Sequence, residues 1–219
     1  VQRRSRRSRR RAAPHPPPRR AAPCGRAPDG AAGRAYHKQH LVLFGEYIPF
    51  RAQLPFLEDL VPIDDFTAGK ENVLFVSGEG YPFSVLICFE DTVPFLARRA
   101  VIDGAGFLVN MTNDAWFGPS RQLRMHLDNA VFRAVENRTA LVRATNTGMS
   151  CSILPTGAVG ACVKARDGRS AMAEGFVLVD VPVRSGPPPF YTKYGDVFAM
   201  LCFLGILGVY LPMMRKTEA

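Results

Sequence analysis

The sequence predicts a layered α/β domain, and three observations support that fold class. Short apolar runs typical of buried strands, such as GFLVNM, alternate with segments of helical spacing. Hydrophobic residues make up 47% of the 219 residues, which is enough apolar material for a core. The sequence contains no internal repeat of the kind that would indicate a solenoid or an array of repeats. Strands interleaved with helices therefore favour an α/β architecture, which we place at about residues 36–194.

Local patterns predict the individual elements of that domain. ENVLFVSGEG and YPFSVLI are expected to form two strands around a glycine-rich turn, and GFLVNM a buried strand. Residues 122–138 follow helical spacing, and ALVRAT, SCSIL and FVLVDVPV are expected to be further strands. The apolar face of the helix consists of Leu123, Leu127, Ala130, Val131 and Ala134.

The net charge of +9 belongs to the first 35 residues, which contain eleven arginines and one acidic residue. These 35 residues have no apolar periodicity, so we predict that residues 1–35 are a disordered Arg/Pro/Ala-rich segment outside the domain. It lacks the apolar core of a secretory signal. A binding arm for anionic lipid or nucleic acid is the alternative interpretation. Because the rest of the chain is nearly neutral, we expect no nucleic-acid partner for the domain.

The C-terminal end carries an uncharged run at residues 197–214, followed by Arg215 and Lys216. An apolar helix of this length covers roughly 27 Å, which is close to the hydrocarbon thickness of a bilayer. The sequence therefore predicts one C-terminal transmembrane helix, with a long buried core helix as the alternative. The two basic residues place the C-terminus in the cytoplasm and the globular part on the opposite side.

The five cysteines form no CxxC pair or Cys/His cluster at metal-ligand spacing, and the four histidines are scattered, so we expect no zinc site. We expect no other metal or cofactor. Cys88 differs from the others in its setting. It follows the apolar strand SVLI, and the acidic residues after it are typical of the first turn of a helix. A thiol at a helix N-terminus is favoured as a thiolate nucleophile. A small buried core cysteine is the alternative.

A second informative stretch is YHKQHLVLFGEYIPF, which contains Lys38 and Glu46 on either side of an apolar run. A salt-bridged pair is the ordinary explanation of two such charges. If the lysine lay beside a cysteine nucleophile, it would favour the thiolate and stabilise an oxyanion. Glu46 would then keep the lysine charged and oriented.

Four segments in order resemble the nitrilase-like domain of apolipoprotein N-acyltransferases, a family of the carbon–nitrogen hydrolase superfamily. They are YHKQHLVLFGEYIPF, ICFEDTVPFLARR, GAGFLVNMTNDAWFG and RAVENRTALVRATNTGMSCSILPTGAV. The resemblance implies a nitrilase-like αββα sandwich, incomplete at its N-terminus and followed by the transmembrane helix. It also implies a Glu–Lys–Cys triad, in which the lysine falls on Lys38 and the cysteine on Cys88. The supporting glutamates fall on Glu46 and Glu90.

The same resemblance implies substrate-binding residues at the rim of the site, on Phe89, Asn113 and Trp116. Phe89 stands where a tyrosine is frequent, which removes a hydroxyl contact. Leu43 stands where a proline is expected, a change that concerns the loop more than the chemistry. Trp116 has two open interpretations, contact with acyl chains or ordinary packing.

The implied activity is acyl transfer from a phospholipid to the α-amine of the S-diacylglyceryl cysteine of an apolipoprotein. The implied location is the bacterial inner membrane, with the catalytic domain on the periplasmic side. The family's glutamate base lies upstream of the lysine motif, and residues 1–35 contain no glutamate. We therefore expect a C-terminal fragment that is inactive, or nearly so, by itself.

Two other classes of function stay open at this point. One is a nitrilase-type amidase that shares the triad and hydrolyses a small amide; the apolar C-terminal run argues against it. The other is a non-catalytic membrane- or nucleic-acid-binding protein built around the basic head. Salt-dependent binding that disappears on deletion of residues 1–35 would favour the second.

Overall fold

The computed structural model describes residues 24–26, 32–51, 53 and 65–217. Its centre is a six-stranded mixed sheet in which β3 to β8 lie side by side in chain order. The strands are β1 (Cys24–Arg26), β2 (Ala32–Ala35), β3 (Leu74–Val76), β4 (Pro82–Ile87), β5 (Phe107–Thr112), β6 (Leu141–Thr145), β7 (Cys151–Ile153) and β8 (Val159–Cys162). β4, β5 and β6 are parallel, whereas β3, β7 and β8 are antiparallel to their neighbours.

Two helices connect the parallel strands. The helices are α1 (Pro94–Ile102), α2 (Gln122–Asn137), α3 (Phe190–Tyr194) and α4 (Val197–Thr217). α1 begins with a proline, whose fixed φ suits a first helical position. α2 ends where Arg138 adopts the left-handed conformation with φ of 45°. Both helices join a single apolar core with the sheet, formed by Leu86, Leu96, Ala97, Ala100, Val101, Ala105, Leu108, Leu127, Ala130, Ala134, Leu141, Cys151 and Ile153.

The structure confirms most of the predicted elements. Strands occur within ENVLFVSGEG, YPFSVLI, GFLVNM, ALVRAT and SCSIL, and the helix predicted at 122–138 spans Gln122–Asn137. The predicted strand FVLVDVPV is wrong, because residues 176–183 adopt no regular structure and Leu178 is 89% exposed. Apolar alternation makes a strand only where a neighbouring strand offers ladder hydrogen bonds, and none does so for this segment among the described residues.

The predicted disorder of residues 1–35 concerns a segment that lies mostly outside the described residues. Its described parts are β1 and β2, which pair as a two-stranded antiparallel ribbon separate from the main sheet. The second sheet implied for an αββα sandwich is therefore represented, in the described part of the chain, by no more than this ribbon.

The C-terminal run forms α4, which is helical as predicted. Its large apolar side chains between residues 198 and 210 are exposed, except for the half-buried Leu207, so the helix is not buried in the core of the described chain. Within the part of the chain that the structure describes, no helix combines the length and the apolar character needed to cross a membrane. The predicted transmembrane helix at 197–214 is thus unsupported, and so is the cytoplasmic C-terminus derived from it.

Candidate active site

The predicted nucleophile lies in a sharp turn directly after β4. Cys88 has a φ of +52°, a conformation that costs energy for any residue with a Cβ. The chain continues as a short 3₁₀ turn, Cys88–Thr92, and α1 begins only at Pro94. The expected helix start directly after Cys88 is therefore replaced by this turn. Pro94 disfavours the helical conformation at the residue before it, and Val93 is extended, so α1 cannot begin before Pro94.

Asn110 holds the turn from the neighbouring strand β5. Its side-chain amide donates hydrogen bonds to the carbonyl oxygens of Leu86, at 3.3 Å, and Cys88, at 3.2 Å. Asn110 and Leu86 are partners in the parallel register of β4 and β5. The amide therefore stands beside the last carbonyl groups of β4, which lose their ladder partners where the strand ends.

Glu90 joins the nucleophile turn to the segment that carries the lysine. Its carboxylate is fully buried and accepts four hydrogen bonds. The donors are the Tyr36 hydroxyl at 2.9 Å and the backbone amides of Gln39, His40 and Ile87 at 2.6, 3.1 and 2.7 Å. Burial, together with the nearby Glu90 charge, raises the pKa of Tyr36 well above its usual range, so its hydroxyl keeps the proton that it donates.

Lys38 and Glu46 form a close ion pair, which is the ordinary explanation that the sequence offered for these two charges. The Lys38 ammonium is 1% exposed and donates to both carboxylate oxygens of Glu46 at 2.7 Å. The Val42 amide donates to Glu46 at 2.9 Å and fixes the carboxylate within its own loop. The two short bonds hold the buried Lys38 ammonium in one orientation against the Glu46 carboxylate.

A cavity of about 270 Å³ brings most of the predicted site residues together. It is lined by Val42, Gly45, Glu46, Cys88, Phe89, Asn113, Trp116 and Phe117, which are mainly apolar. Lys38 is not among the lining residues but is bonded to one of them, Glu46. A larger cavity of about 420 Å³ lies between residues 35–37 and 67–73 but includes no predicted site residue. The smaller cavity is therefore the candidate active site, since it contains the predicted nucleophile, Cys88.

The rim of this cavity is built from the TNDAWFG segment and from the residue after the nucleophile. Trp116 is 81% exposed, so its side chain is not packed in the core of the described chain. Phe89 is partly exposed, and its ring stacks on His40 with centroids 6.2 Å apart. The side-chain oxygen Oδ1 of Asn113 accepts a hydrogen bond from the Asn146 side-chain amide at 2.6 Å, which fixes the Asn113 side chain on the rim.

Behind the nucleophile turn lies a buried charge ring that the sequence analysis missed. It consists of Asp91, Asp114, His126 and Arg143, all at most 4% exposed. Arg143 donates to Asp91 at 2.5 Å, to Asp114 at 3.1 Å and to Asn110 at 2.6 Å. His126 bridges the same two carboxylates, with Nδ1 at 2.8 Å from Asp114 and Nε2 at 2.9 Å from Asp91.

The ring is electrically balanced. Burial alone would lower the pKa of His126, but its bonds to Asp114 and Asp91 raise it to about 9. Burial likewise opposes the ionisation of Asp114, yet hydrogen bonds from His126 and Thr112 and the Arg143 charge lower its pKa. At neutral pH two cations therefore face two carboxylates, and both imidazole nitrogens donate.

One signal for this ring was present in the sequence. His126 lies on the apolar face of α2, next to Leu127, and Arg143 lies in the middle of the apolar strand ALVRAT. A charged residue at a core position needs partners of opposite charge. The pattern could therefore have indicated a buried ion pair. The identity of the partners depends on how the chain folds and could not have been read from spacing.

Comparison with known protein families now places the chain. The carbon–nitrogen hydrolase family model matches residues 27–174, which is more than half of this chain. The chain therefore belongs to the carbon–nitrogen hydrolase family.

Individual relatives confirm the narrower resemblance. An apolipoprotein N-acyltransferase of Geobacter metallireducens is 43% identical over 180 residues, covering 82% of this chain and 33% of the relative. One of Methylococcus capsulatus is 36% identical over 192 residues, covering 87% and 36%. The chain thus spans about a third of these curated relatives. Among solved structures, the amidase from Nesterenkonia sp. AN1 matches with a TM-score of 0.47 and 22% identity, covering 70% of this chain and 53% of that one.

Proposed function

We propose that this chain is the catalytic portion of an enzyme that N-acylates apolipoproteins with a phospholipid acyl chain. One observation carries the proposal: Cys88 lines an apolar cavity together with Glu46, and Glu46 holds the buried Lys38 through both carboxylate oxygens. The names of the relatives support the substrate class. An apolar cavity beside a nucleophile suits an acyl chain better than a small polar amide.

The first step forms a thioester. The thiolate of Cys88 attacks the ester carbonyl carbon of the phospholipid, and Lys38, held by Glu46, stabilises the oxyanion of the tetrahedral intermediate. The carbon–oxygen bond to the glycerol then breaks. Lysophospholipid leaves with the proton that the base took from the thiol, and the acyl group remains on the sulfur.

The second step forms the product amide. The α-amine of an S-diacylglyceryl cysteine attacks the thioester carbonyl, and the same oxyanion position is used again. The carbon–sulfur bond breaks, the base removes a proton from the amine nitrogen, and the Cys88 thiol is restored. Phe89, Asn113 and Trp116 are proposed to bind substrate at the rim of the cavity.

The general base of both steps is proposed to be a glutamate upstream of Lys38. Residues 1–35 contain no glutamate, and Glu46 and Glu90 are already engaged by donors. Proton transfer contributes about 10²–10⁴-fold to such reactions, so these 219 residues alone should be slow by roughly that factor.

The site of action is proposed to be the bacterial inner membrane, with the domain on the periplasmic side. Both substrates are lipids confined to a bilayer, so the cavity has to meet them at its surface. The exposed apolar side chains of α4 support lipid contact, because a continuous exposed apolar surface marks an interaction site.

A chimera tests this proposal. The part of the Geobacter metallireducens relative that precedes its matching lysine motif is joined to residues 36–219 of this chain. Transfer from phospholipid to a diacylglyceryl peptide is then followed by mass spectrometry. We expect acylation of the peptide amine by the chimera and a rate about 10²–10⁴-fold lower for the 219-residue chain. C88A should abolish transfer, whereas the matched control C202A, at an exposed position in α4, should not.

Three results would contradict parts of the proposal. Transfer by the C88A chimera would remove Cys88 as the nucleophile. Ammonia release from small amides without acyl transfer would assign the chain to the amidases. A full rate from the 219-residue chain would show that no upstream base is needed.

A further inference from the structure

Two cysteines outside the candidate active site face each other across neighbouring strands. Cys151 in β7 is the register partner of Cys162 in β8. The Val163 amide donates to the Ser150 carbonyl oxygen at 2.9 Å, one residue outside this pair on each strand. Cys151 and Cys162 are therefore a non-hydrogen-bonded pair, in which Cα atoms lie about 4.5 Å apart and side chains approach most closely. That separation falls within the range that a disulfide spans.

The two thiols differ in accessibility. Cys151 is 2% exposed and belongs to the main core, whereas Cys162 is half-buried and packs against the same core. Burial, together with the neighbouring Cys162 thiol, raises the pKa of Cys151 to about 12. Cys162 is therefore the thiol that an incoming reagent meets first, and Cys151 is shielded until its neighbour has reacted.

We propose that Cys151 and Cys162 are a redox pair that closes into a cross-strand disulfide when the folded chain meets a disulfide donor. The Cys162 thiolate attacks one sulfur of the donor, whose sulfur–sulfur bond breaks and releases one thiolate. The Cys151 thiol then loses its proton to water as its sulfur attacks the Cys162 sulfur of the mixed disulfide, and this attack releases the second thiolate of the donor. The two cysteines lose two electrons and two protons, and the donor is reduced to two thiols.

The disulfide would link β7 and β8 at the edge of the sheet, next to the strand that carries Arg143 of the charge ring. Cys151 is also the register partner of Arg143 in β6, so the two cysteines and the arginine lie in one row across three strands. The turn between β7 and β8 contacts α2, where a Cβ on Gly157 would lie 2.6 Å from Val135. A disulfide in this hairpin therefore restrains the strand behind Arg143 and the turn that touches α2.

The test uses the full 219-residue chain, folded and fully reduced. It is incubated with oxidised glutathione, the remaining thiols are alkylated, and the digest is mapped by mass spectrometry. We expect a linked pair of peptides containing Cys151 and Cys162, lighter by two hydrogen atoms than the two reduced peptides. C162S should abolish this product, and the matched variant C202S, at an exposed cysteine of α4, should keep it.

A second measurement, the denaturation midpoint before and after reduction, compares each chain with itself and so does not depend on how a substitution affects folding. After oxidation, adding a reductant should lower the denaturation midpoint of the wild-type chain and leave that of C162S unchanged. Alkylation of both thiols after oxidation would overturn the proposal. So would a glutathione adduct that persists on Cys162, or a link that forms only in denaturant.

Discussion

At the scale of single residues, the most constrained group is the Glu90 carboxylate. All four of its hydrogen-bond partners are donors, and three of them are backbone amides that cannot turn away. A carboxylate offers about four acceptor positions and no donor, so it fits this site fully. Glu90 thereby ties the lysine segment to the nucleophile turn, which makes it a positioning residue.

Replacing Glu90 by glutamine should destabilise the fold by about 2–4 kcal/mol. The glutamine NH₂ group would face amide donors, which leaves buried N–H groups without an acceptor. Chemical denaturation gives the free energy of unfolding. The matched substitution E79Q, at an exposed glutamate, should change it by less than about 0.5 kcal/mol. An E90Q chain as stable as wild type would contradict this account of Glu90.

At the scale of elements, the nucleophile turn stores local strain. Cys88 combines a positive φ with a side chain, and the Asn110 amide holds its carbonyl oxygen in place. The strain points the residue out of the strand direction and towards the cavity that Cys88 lines. β4 therefore ends in a turn whose geometry serves the site at a cost to stability.

Comparing C88G with C88A tests this strain. Glycine adopts a positive φ without penalty, so C88G should be more stable than C88A by about 1 kcal/mol, although both lack the thiol. Thermal or urea denaturation of the two variants gives the difference. At a matched position with ordinary φ, Cys202 in α4, the order should reverse, because glycine weakens a helix. Equal stability at position 88 would argue against a strained turn.

The elements also show which parts of the fold can be predicted from the sequence. β4, β5, β6 and α2 were predictable because apolar periodicity is local and is decided within a few residues. FVLVDVPV has the same local pattern but lacks a partner strand among the described residues, and pairing is not local. In the site, Lys38, Glu46, Cys88 and Glu90 followed from motifs, whereas the charge ring depended on contacts between distant segments.

At the scale of the whole molecule, the charge ring couples stability to pH. It joins the nucleophile turn, β6 and α2 through Asp91, Arg143 and His126. The pKa of His126 is about 9 in the folded chain, compared with an ordinary value of 6.5. Folding therefore takes up a proton, so this contribution is complete below pH 6.5 and disappears as the pH rises through 9.

The free energy of unfolding should thus fall by on the order of 3 kcal/mol between about pH 6.5 and pH 9. Denaturation curves across that interval measure the slope. H126Q should flatten the profile, whereas H40Q, at an exposed histidine, should keep it. A profile that H126Q leaves unchanged would show that another group titrates.

The balance of the ring has a consequence for how this molecule can vary. Two cations and two carboxylates are buried together, so the loss of any single member leaves a buried charge with no counterpart. Single exchanges at these four positions should therefore be strongly destabilising, while an exchange that removes an opposite pair together should be less damaging. Substitutions at these four positions are therefore expected to occur together. A related sequence should keep either the whole ring or a fully apolar set of residues in its place.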